Sequence, residues 1–97
     1  MAALTFTSQV DTVLGTIDGM KVVSTLLTTA DGGTDPTQFT VAPLTRVIAF
    51  TMGVKTSVAA VYTNAFHAIA GTNANQIELH APASIATSII EIWSFGY

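Results

Sequence analysis

The residues best suited to chemistry in this chain are few and scattered. His80 and Glu78 stand two apart in a run that alternates as a strand does, so both side chains project from one face. With His67 they make a donor set that zinc accepts. The same pattern on a strand face open to water is ordinary solvated decoration, and it is the better reading here. A histidine pair bridging subunits is the other use of such residues, and it would make assembly respond to pH. Asp31-Gly32-Gly33-Thr34-Asp35 resembles part of a calcium loop, but the bidentate Glu and the regular oxygen spacing are missing. Gly-Gly and Asp-Pro are also what a plain surface turn requires. No metal and no other cofactor is expected.

Catalysis has little to draw on. There is no cysteine, which excludes thiolate nucleophiles, thiolate metal sites and disulfides. No Gly-x-Ser-x-Gly elbow presents a serine, and no phosphate-binding glycine loop or dinucleotide fingerprint occurs. The six acids, Asp11, Asp18, Asp31, Asp35, Glu78 and Glu91, fall mostly at expected turns rather than in convergent pairs. The chain reads as a non-enzyme. What remains is a set of side chains suited to contact: Trp93, Phe95 and Tyr97 alternate along one strand face, with Glu91 on the same face. Such a row is either ordinary core or an aromatic anchor for a partner, since aromatic residues dominate interface energetics; a carboxylate beside them is costly in a closed core and tilts the reading toward an interface edge. Arg46 is the one arginine, suited to a bidentate pair with a carboxylate of its own or of a neighbouring subunit. Arg46, Glu91, Trp93, Phe95 and Tyr97 are the candidate interface residues.

Composition supports contact over chemistry. Charged residues make up 9% of the chain and apolar residues 49%, against about 25% charged in an average soluble domain. Hydroxyl groups, threonine above all, and neighbouring subunits are expected to cover the surface that charge does not. Lys21, Arg46 and Lys55 are the only strong cations at a net charge of −3, too few for a phosphate backbone or an anionic lipid surface. Neither nucleic acid nor membrane is an expected partner. The start of the chain shows no basic region followed by an apolar run, and no apolar stretch approaches the ~18 residues of a membrane helix. The protein is expected to stay soluble in the compartment where it is made.

The elements that must position these residues are strands. Thr, Val and Ile recur in short runs split by Gly, Asp, Asn and Pro. Strands are expected within Ala2–Val10 and over Thr12–Ile17, and Asp18-Gly19 marks a tight hairpin into Met20–Thr29. The breaker-rich stretch from Ala30 to Pro36 reads as a surface loop. Further strands are expected at Gln38–Val41, Thr45–Met52, Val58–Thr63, Phe66–Ala70, Gln76–His80 and Ala86–Phe95. Turns are expected at Gly53–Ser57, Asn64-Ala65, Gly71–Asn75 and Pro82–Ser84. Ile77 and Leu79 face one way, Gln76, Glu78 and His80 the other. About eight strands at this spacing predict one all-β domain of 97 residues, an antiparallel sandwich or small barrel, with a jelly roll among the options. Several strands are apolar on both sides. In the last, Ile90 and Ile92 oppose Ile89, Trp93 and Phe95. A small domain cannot hide both faces of such a strand, which predicts a homo-oligomer or a docked assembly.

The run Gly19-Met20-Lys21-Val22-Val23-Ser24-Thr25-Leu26-Leu27, the Gly-Gly loop, Phe39-Thr40-Val41-Ala42-Pro43-Leu44-Thr45 and the closing Phe95-Gly96-Tyr97 occur in an order that resembles small virion proteins of tailed bacteriophages. The likeness is one of texture and order, and Val58 to Ala70 departs from it. It implies a capsid decoration or cement protein, docked as an oligomer, commonly a trimer, on the major capsid protein at the virion surface after synthesis in the host cytoplasm. No catalytic residues carry over. Two rival expectations stand beside it: a tail, neck or fibre-associated subunit, and a small ligand-binding barrel with a concave pocket near Trp93 or Tyr62.

Overall fold

Asp18 and Gly19 have backbone φ of 52° and 79°. Positive φ at both central residues makes the type I′ turn whose twist matches two antiparallel strands. The turn joins β1 (Phe6–Ile17) to β2 (Met20–Thr29), with Ile17 opposite Met20. The computed structural model describes residues 5–29, 36–56, 67–80 and 88–97. Beyond the hairpin the strands are β3 (Thr37–Thr40), β4 (Val47–Thr56), β5 (His67–Ala70), β6 (Gln76–His80) and β7 (Ile89–Gly96). They form two antiparallel sheets, a four-stranded one in the order β1-β2-β7-β4 and a three-stranded one in the order β3-β6-β5.

The sheets face each other across one core. Val23 and Leu27 of β2 and Ile90 and Ile92 of β7 meet Phe39 of β3 and Ile77 and Leu79 of β6. All but Phe39 are completely buried. Each such side chain contributes about 1.5–3 kcal/mol through burial. The segment after β3 closes one end. Val41 and Leu44 enter the core there, Leu44 N–H donates to the Val41 carbonyl, and Asn75 donates from its side chain to the Leu44 carbonyl. Val47 N–H bonds the Ala74 carbonyl at 2.8 Å, which ties β4 to the β5–β6 turn and so one sheet to the other. Phe6 meets Phe39 edge to face at 6.1 Å between ring centres. Gln9 of β1 reaches the Thr40 carbonyl at 2.8 Å and closes the side of the sandwich.

The expected all-β fold, the Asp18-Gly19 hairpin, the short strand near Gln38 and the alternation of Gln76–His80 are all present. Other expectations need correction. Seven strands lie among the described residues, against about eight expected in the whole chain. They form open sheets of four and three strands rather than a closed barrel. The two strands expected in Ala2–Val10 and Thr12–Ile17 are one continuous β1. Asp11 does not break it because the Thr25 hydroxyl, fully buried on β2, donates to Asp11 Oδ1 at 2.8 Å. Bulges between Phe6 and Ser8 and between Val13 and Gly15 absorb one extra residue each. Lys55 lies in β4, which stays paired with β7 as far as Thr56 through a register shift between Val54 and Thr56, where a turn at Gly53–Ser57 was expected. β5 takes β6 as its partner through the Gly71–Asn75 turn. The expected loop at Ala30–Asp35, the strand Val58–Thr63, the turn at Asn64-Ala65 and the bend at Pro82–Ser84 lie outside the described residues.

Candidate functional site: the outer face of the four-stranded sheet

The antiparallel register puts directly opposed residues on the same face of a sheet. Core-facing Ile90, Ile92 and Ser94 of β7 therefore send Ile89, Glu91, Trp93 and Phe95 outward. Their neighbours across β2 are Thr28, Leu26, Ser24 and Val22, and across β4 Gly53, Thr51 and Ala49 oppose Glu91, Trp93 and Phe95. From β1, Ser8, Val10 and Thr12 extend the rows of Thr28, Leu26 and Ser24. The result is a four-strand-wide face of Val, Leu, Ile, Trp and Phe set among Ser and Thr, with Glu91 as its central charge.

The described residues of the second sheet leave this face open. Val10 is 52% exposed, Leu14 51% and Trp93 42%. Val22 is nearly buried although it lies on the same side. It sits in the floor of a shallow hollow of about 280 Å³ whose walls include Leu14, Ile17 and Trp93. A second shallow hollow, of about 260 Å³, lies on the other side of Trp93 against Thr51, Gly53 and Glu91. Trp93 is thus a ridge between two depressions. Ser24 Oγ donates to Glu91 Oε2 at 3.2 Å, which orients the carboxylate.

Three of the five expected interface residues, Glu91, Trp93 and Phe95, share one column of this face. Tyr97 continues the column, exposed. Arg46 stands directly opposite Tyr97, and the two exchange backbone hydrogen bonds of 3.1 and 3.0 Å. The Arg46 side chain finds no carboxylate among the described residues. It edges a cleft of about 420 Å³ between β4 and the β5–β6 turn, which Phe50, Ala70 and Gln76 also line. The expectation did not include Val10, Leu14, Val22, Ser24 and Leu26. Their signal was the alternation Val10-x-Thr12-x-Leu14 and Val22-x-Ser24-x-Leu26, readable only once the pairing of β1 and β2 with β7 is known.

The outer face of the three-stranded sheet is polar instead. His67 and His80, cross-strand neighbours, stack with ring centres 4.5 Å apart and planes 14° apart. His80 Nε2 and Glu78 Oε2 are 2.7 Å apart. Gln38 donates to Glu78 Oε1 at 3.2 Å and exchanges hydrogen bonds with Thr72. Both Glu78 oxygens therefore have partners, and near-parallel rings do not converge on one point. Among the described residues no cluster of three His, Asp or Glu is arranged to hold a metal ion. Tyr62, where a ligand pocket was one expectation, lies outside the described residues, and the hollows beside Trp93 are shallow.

No known protein family, curated protein or solved structure matches this chain.

Proposed function

We propose that this protein is a non-enzymatic structural subunit that decorates or cements a bacteriophage capsid, docking as an oligomer on the major capsid protein. One observation carries the reading: the outer face of the β1-β2-β7-β4 sheet is broad, apolar and open, with Trp93 raised at its centre. Such a face in a soluble protein is a contact surface. The low charge suits the role, because few ions have to be stripped of water when the face closes. Many weak contacts made together over a lattice give firm retention. The order of the β2 run, the Phe39–Thr45 segment and the final Phe95-Gly96-Tyr97, which resembles phage virion proteins, supplies the viral part of the proposal.

The test is binding to capsids of the phage whose genome encodes the chain. Tagged protein is expected to saturate shells that lack it and to label the head in many copies, and Trp93→Ala is expected to lower occupancy. Label confined to a tail or neck moves the subunit within the virion. No saturable binding to any part of the particle refutes the reading.

A further inference from the structure

We infer that a second copy of this chain covers the outer face of the four-stranded sheet, through a two-fold axis lying in the plane between the Trp93 row and the Glu91 row. The inference deepens the reading of that face as an assembly surface and rests on it.

The face is complementary to itself. Glu91 Oε2 accepts from Ser24, while Oε1 meets no donor among the described residues. Trp93, two residues along the same column, has an indole N–H with no acceptor among the described residues. An axis between the two rows, inclined about 75° to the strands so that the sheets cross at about 30°, lays Trp93 of each copy over Glu91 of the other. One unfilled donor and one unfilled acceptor then meet twice. The same operation sets Leu26 against Ser24, Val10 against Thr12, Val22 against Thr28 and Ile89 against Phe95 of the second copy, so apolar side chains meet apolar or small hydroxylated ones. Aligned sheets pack about 10 Å apart and about 30° from parallel. β2 and β7 are the two central strands, so their pairs stay close to the axis under that rotation.

The area suffices. Four strands at about 4.8 Å spacing with their side chains span about 19 Å, and the opposed stretch Lys21–Thr28 runs about 27 Å, a plane of about 500 Å². Two such planes, with the relief of their side chains, bury roughly 1,000–1,400 Å², at the lower edge of the about 1,200–2,000 Å² typical of specific interfaces. The charge pattern agrees. Glu91 is the one charged residue in the middle of the face, and the axis offsets its two copies rather than stacking them.

The experiment is sedimentation of the full chain over a wide concentration range, with Trp93 emission read in parallel. The expected result is a monomer–dimer equilibrium, with emission moving to the blue as dimer forms. Trp93→Phe keeps most of the apolar area and removes the donor. It is expected to weaken the dimer roughly 100- to 10,000-fold, because a charge-assisted hydrogen bond is lost twice. Glu91→Leu added to Trp93→Phe is expected to recover part of that loss, since no carboxylate is then left without its donor. Circular dichroism checks that these variants, changed outside the core, keep the fold. A trimer, or a dimer indifferent to Trp93→Phe, overturns the two-fold pairing and leaves the assembly role of the protein standing. A monomer at several hundred micromolar overturns the pairing, and if that monomer also fails to bind capsids the functional reading falls with it.

Discussion

Gly96→Ala is the most informative single change to the fold. Gly96 is buried in β7, opposite Lys21 on one side and Val47 on the other. A Cβ there would fall onto the Arg46 carbonyl oxygen, with the Arg46 carbonyl carbon at 3.0 Å and Val47 Cα at 3.2 Å. That carbonyl cannot simply retreat. It accepts from Tyr97 N–H at 3.0 Å, while the Tyr97 carbonyl accepts from both Thr45 and Arg46 N–H. Relieving the overlap means parting β4 from β7 where the ladder ends. Two or more backbone hydrogen bonds, at about 1 kcal/mol each, are then lost or stretched. Forcing an extra carbon into a packed site costs a further ~1–3 kcal/mol. The expected destabilisation is about 3–5 kcal/mol, a fall in Tm of roughly 12–40 °C for a domain of this size. Urea unfolding followed by circular dichroism gives the free energy, and amide exchange at Tyr97 locates the damage. A loss below about 0.5 kcal/mol, with the Tyr97 amide still protected, would refute the claim that backbone contact with β4 dictates glycine here.

Two further predictions concern buried hydroxyls. Ser94 Oγ is the one buried side-chain oxygen among the described residues that lacks a partner, so Ser94→Ala is expected to leave stability unchanged or raise it by up to about 1 kcal/mol in the same urea assay. Asp11→Ala leaves the fully buried Thr25 hydroxyl without its acceptor and is expected to cost about 1–3 kcal/mol. Adding Thr25→Val should restore part of that loss, and simple additivity of the two changes would show that the hydrogen bond does not couple them.

Much of the fold was legible locally. Asp18-Gly19 names its own turn, because few residue pairs tolerate positive φ at both positions. Gln76–His80 announces its faces by strict alternation, with Ile77 and Leu79 inside. The misreadings share a physical origin. Asp11 looks like a strand breaker until Thr25 supplies a buried donor from the neighbouring strand. Gly53 and Lys55 look like a turn until pairing with β7, of Gly53 with Glu91, Val54 with Ile90 and Thr56 with Ile89, keeps the segment in the sheet with Lys55 at an irregularity. The candidate site was half visible. Glu91, Trp93 and Phe95 follow from one strand, whereas Val10, Leu14 and Leu26 belong to the same face only through cross-strand register. Arg46 sits beside Tyr97 through backbone pairing, with no ion pair drawing it there.

What the amino-acid order determined by itself was a set of short-range consequences: the strand class, the hairpin, the two-sided greasiness of β2 and β7, and the absence of cysteine. Each depends on the preferences and alternation of residues close along the chain. The tertiary structure decided which strands are neighbours, that the polar outer face belongs to the three-stranded sheet, and that the apolar one belongs to the four-stranded sheet. Those outcomes depend on contacts between residues tens of positions apart. A strand's own pattern says that it has a buried side and an outer side; only its partners determine what each side meets.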